Sequence, residues 1–322
     1  MKIKRIALAL TMVMLAACIT SCGIRRGELG SEKNPIRFFF MPLKGEEAFR
    51  TNSKLLTDYI RENTGLHAKA IHSPDFVTIV KAFGNGQADI AFTNTLGYLM
   101  ARDWAKAEAH LLQLYGDVYR NYRGEIVARV DGPINAPTDL AGKSIAFADP
   151  FSASGYLYPL KFLKDRNIKP GSTSFAGSHV KAMEMVYDGK VDAAATFHTR
   201  PSVAGVERDA RSEILAKHPD AMAKLKIVAL TDEIPNGPVA LRRGLPAEIK
   251  SKLVGSLMEF ARTPGGRQAL IDLYNITGLT IANDADYDGV QKVIKSVGLS
   301  VEEVVPGGLT FYMQKISPLL EY

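Results

Sequence analysis

Cysteine is almost missing from this chain. Of 322 residues only Cys18 and Cys22 are cysteines, both close to the amino terminus. The folded body is therefore expected to hold no disulfide and to offer no thiol as nucleophile or metal ligand. Gly-x-Ser-x-Gly, His-Glu-x-x-His and Gly-x-x-x-x-Gly-Lys-Ser/Thr are missing too. Their absence removes the usual nucleophile elbow, zinc-peptidase helix and nucleotide phosphate loop. Long apolar runs are lacking: Ile6 to Leu15 falls well short of the roughly 20 residues that span a bilayer. Charge of one sign is scarce as well. The formal net charge is +6, and Lys2, Lys4 and Arg5 supply three of those charges, leaving +3 without them. So mild an excess is no footprint for nucleic acid.

What is present begins with a secretory leader. The basic start, the apolar Ile6 to Leu15 and Leu15-Ala16-Ala17-Cys18 read as a lipoprotein signal peptide over residues 1–17, with Cys18 diacylated as the mature amino terminus. A second match, Ile19-Thr20-Ser21-Cys22, makes Cys22 the alternative lipid site. Either way the chain is expected in the cell envelope, held to a membrane surface by its lipid and facing the periplasm or the exterior. Residues 18–34 are polar and contain glycine, as a lipidated tether would. Hydrophobic residues make up 46% of the chain, enough for the cores of two modest lobes.

Strand and helix signals alternate, which predicts an α/β fold. Ile36 to Phe40 and Ala68 to His72 read as strands, and Glu46 to Asn63 as an amphipathic helix stopped before Gly65. One unit then occurs twice, as Ile79 to Phe92 and again as Ala182 to Ala195. In each copy a helix stops near a glycine (Gly86, Gly189), three residues lead to an aspartate (Asp89, Asp192), and a small apolar strand follows. The glycines suit left-handed helix ends, and the aspartates are expected to orient the strands rather than touch a ligand. Repetition predicts duplicated lobes, each an open α/β sheet with its ligand beyond the carboxyl ends of the strands. The polar runs Thr93-Asn94-Thr95 and Thr196 to Arg200 would then line a cleft between lobes. Gly124 to Arg129 and Gly237 to Arg242 are the expected crossovers. The division that follows is a first lobe of residues 35–127 with 237–280, a second of 128–236, and a C-terminal helical extension over 281–322. Helical patterns within that extension run from Tyr287 to Val297 and from Phe311 to Leu319.

Asp149-Pro150-Phe151-Ser152-Ala153-Ser154-Gly155-Tyr156 is the most telling stretch. The apolar Ser144 to Ala148 ahead of it reads as a buried strand running into a turn, and Tyr156 to Lys164 behind it as a helix with Pro159 in its first turn. Two serines and a glycine thus sit where a strand hands over to a helix. Amide N–H groups there lack internal partners and carry the positive end of the helix dipole, so a small oxyanion is the expected ligand. The plainer reading of either serine is a helix N-cap.

With Ser73-Pro74-Asp75-Phe76, Gly86 to Phe92, Asp149 to Tyr156, Gly177-Ser178-His179, Gly189 to Ala193 and Ile234 to Pro238 taken in order, the chain resembles the phosphate/phosphite/phosphonate-binding proteins of ABC importers. These are the phosphonate-receptor branch of the type II periplasmic binding proteins. The resemblance spans roughly residues 35 to 285. It implies two lobes that close over a phosphonate-type anion and a membrane permease that receives it, with no cofactor, no metal and a monomeric receptor. The family's cradle falls on Ser152, Ala153 and Ser154, where Ala153 lacks a hydroxyl. Its histidine falls on His179, whose protonated imidazole would keep its proton longer beside an oxyanion. Its tyrosines fall on Phe76, which has lost the hydroxyl, and on Tyr122, which keeps it; Thr95 is expected at the same cleft.

Two carboxylates that grip an ammonium in aminoalkylphosphonate receptors are replaced here by Thr199 and Gly237. Burying an ammonium without a carboxylate is costly, so aminoalkylphosphonates are not the expected ligands. Arg123 and Arg200, near the expected cleft, would suit a more anionic one. Three other readings compete. A ligand sensor of the same fold would dock on a signalling protein. An enzyme related to thiamine-precursor synthesis would find no cysteine nucleophile in the folded body. A metal-ion receptor needs a clustered His/Asp/Glu set that the cleft residues do not form.

Overall fold

The computed structural model describes residues 27–41, 45–116, 118–150, 152–200 and 208–300. The leader, Cys18, Cys22 and the helix expected over Phe311 to Leu319 lie outside them.

Two six-stranded sheets carry the fold. The first contains β1 (Ile36–Phe40), β2 (Ala68–His72), β3 (Ile90–Phe92), β4 (Glu108–Leu114), β11 (Pro238–Leu241) and β12 (Gly278–Ile281), in the order β12-β4-β11-β3-β1-β2. The second contains β5 (Asn121–Arg129), β6 (Ser144–Phe147), β7 (Ser172–Phe175), β8 (Ala193–Thr199), β9 (Arg208–Asp209) and β10 (Leu225–Pro235), in the order β10-β5-β8-β6-β7, with β9 paired to β8. In both sheets the strands linked by helices run parallel: β1 with β2 and β3, β6 with β7 and β8. This is the lobe architecture of a type II periplasmic binding protein.

The local chemistry explains these elements. β1 is buried on both faces, as a central parallel strand must be. Phe38 and Phe40 enter one core with Phe92, while Phe39 enters the other. Helix α1 (Glu46–Thr64) ends at Gly65, whose φ of 73° is a left-handed cap that glycine adopts without steric cost. The repeated unit is the same structure twice. Helices α2 (Phe76–Gly84) and α5 (His179–Tyr187) end just before Gly86 and Gly189, at φ 65° and 70°. The aspartates that follow pin the neighbouring strand: Asp89 Oδ2 accepts the Arg37 amide of β1 at 3.0 Å, and Asp192 Oδ2 accepts the Ser144 amide of β6 at 2.8 Å. Neither aspartate lines the cleft.

The crossovers differ from expectation. Gly124 to Arg129 belongs wholly to β5, a central strand of the second sheet between β8 and β10. The chain therefore changes sheets between Leu114 and Asn121, ahead of the boundary expected near residue 128. It returns between Pro235, the last residue of β10, and Pro238, the first of β11. Sheet membership is set by which strands pair, and Gly124 to Arg129 finds its partners far along the chain. The region after residue 280 is no appendage either. Helix α6 (Asp288–Ser296) buries Val290, Val293 and Ile294 in a core shared with Tyr98 and Leu99 of α3 (Thr95–Ala105) and with Leu157 and Tyr158 of the second lobe. Tyr287 stacks edge-on against Tyr98, and Lys164 Nζ donates to the Ser296 carbonyl at 3.0 Å. This helix thus contacts both lobes.

Candidate functional site

A cavity of about 840 Å3 lies between the two sheets. Phe76, Thr95, Tyr122, Ser152, Ala153, Ser154, His179 and Thr199 all line it, as do Arg200 and Gly237. Secondary structure brings them there. Phe76, Thr95 and His179 are the first residues of α2, α3 and α5, each behind an N-cap side chain: Asp75, Asn94 and Ser178. Ser152 caps the π-helical turn Ala153–Leu157, which leads into α4 (Tyr158–Asp165) with Pro159 in its first turn. Four helical N-termini therefore face one cavity, and their dipoles favour negative charge there.

The cradle is tight. Ser152 Oγ accepts the Gly155 N–H at 2.8 Å and lies 3.3 Å from His179 Nε2. A Cβ on Gly155 would come within 2.5 Å of Ala148 Cβ and 3.0 Å of His179 Cε1, so the turn requires glycine. The Tyr122 hydroxyl interacts with Ser154 from the second lobe and Thr95 from the first. Thr95 already donates to the Pro235 carbonyl at 2.8 Å, so its oxygen can only accept from Tyr122. Burial pushes the Tyr122 phenol up to about 12, with the Ser154 hydroxyl pulling the other way; Tyr122 stays a neutral donor.

His179 is set in a dry pocket. Its surroundings are dry enough that burial lowers the imidazole to about 4, and Nδ1 has no hydrogen-bond partner among the described residues. Without an anion beside it the ring is therefore neutral at pH 7, whereas the imidazolium expected from sequence is that of the anion-bound site. An oxyanion would act in the opposite direction by stabilising the charged ring.

The two arginines share Glu233 Oε1, with Arg123 Nη2 at 3.3 Å, but only Arg200 lines the cleft. Arg200 is on the cleft wall, ion-paired with Glu233 and over the Tyr119 ring at 5.4 Å. Arg123 turns away, donating to the Thr231 carbonyl at 2.8 Å and lining a separate small cavity with Lys161 and Asp232. At Gly237 the backbone is so close to β3 that a Cβ would lie 2.1 Å from the Thr93 carbonyl oxygen.

Several lining residues were not singled out from sequence. Gln113 and Asn236 hold the passage between lobes: Gln113 Nε2 donates to the Thr93 and Pro238 carbonyls, and Asn236 Nδ2 to those of Gln113 and Tyr119. Asp149 and Glu213 bring carboxylates to the wall, and Arg267 a guanidinium. Asp149 stands at the strand-to-turn junction of the legible motif; Glu213 and Arg267 carry no local signal.

Two α/β lobes, a chain that crosses twice between them and a helix-lined cleft at the junction define a solute-binding protein. Residues 38–287 match the family described as ABC transporter, phosphonate, periplasmic substrate-binding protein, and the chain belongs to that family. It is thus a phosphonate-family substrate-binding component of an ABC transporter, a transport protein among transport proteins. The phosphate-import protein PhnD of Mycolicibacterium smegmatis is 25% identical across 92% of this chain and 98% of its own length. The phosphonates-binding periplasmic protein of Escherichia coli is 24% identical across 66% of this chain and 62% of its own length. Among solved structures, the binding-protein component of an ABC phosphonate transporter from Pseudomonas aeruginosa superposes with a TM-score of 0.64, at 19% identity, over 89% of this chain and 97% of that one. PhnD1 of Prochlorococcus marinus, solved with methylphosphonate, gives 0.65 at 16% identity, over 82% and 98%.

Proposed function

We propose that the protein captures a phosphonate-type oxyanion, whether phosphonate, phosphite or phosphate-like, and passes it to a membrane permease while a lipid on Cys18 or Cys22 keeps it at the membrane. Ser152, Ser154 and His179 of the second lobe hold the anion. Thr95, Tyr122 and Phe76 cover it when the lobes close about the two passages between sheets. One observation carries this reading: four helical N-termini and these hydroxyl and imidazole groups converge on a single cavity. No residue in it is assigned a covalent step.

A thermal-shift panel tests the proposal, using phosphite, phosphate, sulfate and alkyl-, aminoalkyl- and carboxyalkylphosphonates. Ligand at a hundred times its Kd stabilises by about 2.7 kcal/mol, a shift of a few degrees. A shift confined to phosphorus oxyanions is the expected result. No shift with any of them would overturn the ligand assignment and leave only the fold.

A further inference from the structure

Behind the cleft wall formed by Phe197, Thr199 and Arg200, the second sheet holds a group of side chains that the anion site does not use. Glu125 of β5, His198 of β8 and Asp209 of β9 each bring one donor atom to within 4.8 Å of the other two. Strand register gathers them: Glu125 lies opposite Thr196 across β5 and β8, and His198 opposite Asp209 across β8 and β9. The side chains of Glu125 and Asp209 are 0% exposed and that of His198 14%.

Hydrogen bonds account for only part of this group. Glu125 Oε1 accepts the Thr196 hydroxyl at 3.0 Å, yet Glu125 Oε2 and His198 Nδ1 are both buried without a hydrogen-bond partner among the described residues. These two atoms face each other at 3.5 Å, unaligned for a hydrogen bond. Two donors on one tetrahedral zinc, at bonds of about 2.0–2.1 Å, stand about 3.4 Å apart. Asp209 is oriented by Arg211, whose Nη2 meets Oδ2 at 2.7 Å and whose Nε meets Oδ1 at 3.1 Å. Oδ1 also accepts the Arg211 backbone N–H at 2.8 Å; a carboxylate has about four lone-pair sites, so these three donors leave one for a cation. Arg211 balances one of the two carboxylates. The other, Glu125, is fully buried, with Oε2 turned toward His198. Buried charges are stable when paired or when they coordinate a metal.

We propose that Glu125, His198 and Asp209 form a binding site for one first-row divalent cation of the zinc class. One imidazole nitrogen and two carboxylate oxygens, with a fourth position for water, suit that chemistry. The ion's role is structural. It ties β5, β8 and β9 together directly behind the residues that β8 presents to the cleft, and it is independent of the anion assignment.

The test is titration of zinc into the full chain by calorimetry, with bound ions counted by native mass spectrometry after dialysis. The expected result is one ion per chain, at least tenfold weaker binding in Glu125→Gln and His198→Ala, and unchanged binding in Glu213→Gln, which removes a carboxylate from the cleft instead. Glu125→Gln keeps the side chain's shape and its Thr196 contact, so it decides the matter if His198→Ala does not fold. Absence of a stoichiometric ion overturns the proposal, as does an ion that survives both substitutions or is lost in Glu213→Gln. A wild type that ignores zinc while Glu125→Gln gains stability also overturns it, because the cluster would then be a charge offset by a proton on His198.

Discussion

The Ser152 hydroxyl joins two structures at once: its oxygen caps the turn by accepting the Gly155 N–H and lies 3.3 Å from His179 Nε2. Ser152→Ala should therefore cost stability as well as affinity. Loss of such a cap costs about 1 kcal/mol, and loss of a hydrogen bond to a charged ligand about 1.5–3 kcal/mol, or roughly tenfold to a hundredfold in Kd. Ser154 caps nothing, so Ser154→Ala should weaken binding with a smaller change in stability. Urea unfolding beside calorimetric titration separates the two effects; equal stability losses would show that Ser152 is not acting as the cap.

His179 makes the site sensitive to pH. Its pKa falls from 6.5 to about 4 on folding because burial disfavours the imidazolium. Between those values the unfolded chain holds a proton that the folded chain does not. Stability is thus complete above pH 6.5 and declines as pH falls toward 4, by up to about 3 kcal/mol. A bound oxyanion raises the pKa again, so binding near pH 6 should draw a proton onto the ring. Calorimetry in two buffers of different ionisation heat measures that proton. The difference should be present in wild type and vanish in His179→Asn, and a wild type with no buffer dependence would mean that His179 does not meet the anion.

How much of this was legible depends on whether the determining interactions were local. Gly65, Gly86 and Gly189 mark helix ends through backbone conformation, and Ser152 to Gly155 announces a strand-to-helix turn, so those features could be read along the chain. β5 could not be assigned to a lobe, because its partners β8 and β10 begin some 60 and 100 residues later in the sequence. Arg123 illustrates the period-two rule: it follows Tyr122 on a strand, so with Tyr122 at the cavity it points to the opposite face. The Glu125, His198 and Asp209 cluster depends on two strand pairings, and nothing near any one of the three betrays it. The neutral state of His179 likewise comes from packing that no motif records.

The repeated aspartates offer a stability comparison within one chain. Asp89 is fully buried and is met by Arg37 Nε at 2.8 Å and Arg242 Nε at 3.0 Å. Desolvation raises its pKa, but the two guanidinium groups outweigh it and hold the carboxyl below its ordinary value. Asp192, half-buried, accepts from the Ser144 amide and hydroxyl, with Lys143 adding a weaker attraction. Asp89→Asn should therefore cost about 3 kcal/mol and Asp192→Asn about 1 kcal/mol in urea unfolding at pH 7. The Asp89 contribution is present above its unfolded value of 3.8 and is lost as pH falls below it, so the gap between wild type and Asp89→Asn should narrow only in acid. Equal costs at the two positions would show that the arginine pairs do not stabilise the first lobe.

By the family resemblance Thr199 and Gly237 would fall where a carboxylate receives a ligand ammonium, and they differ in how they can be altered. At Gly237 any side chain meets the Thr93 carbonyl, with a Cβ only 2.1 Å away and Asn94 Cα at 3.0 Å. Both contacts are backbone, so β3 or β11 would have to move. Gly237→Asp should destabilise the fold by several degrees in Tm without gaining affinity for amines. Thr199, at the end of β8 and on the cavity wall, has no such restriction. Thr199→Glu should place a carboxylate in the cleft and shift preference from alkylphosphonates toward aminoalkylphosphonates by tenfold or more, as a newly paired ammonium would. Competitive calorimetry with methyl- and 2-aminoethylphosphonate measures the ratio in wild type and both variants. If wild type already prefers the amine, the cleft carboxylates Asp149 or Glu213 are taking the ammonium, and the missing pair at Thr199 and Gly237 does not set the ligand class.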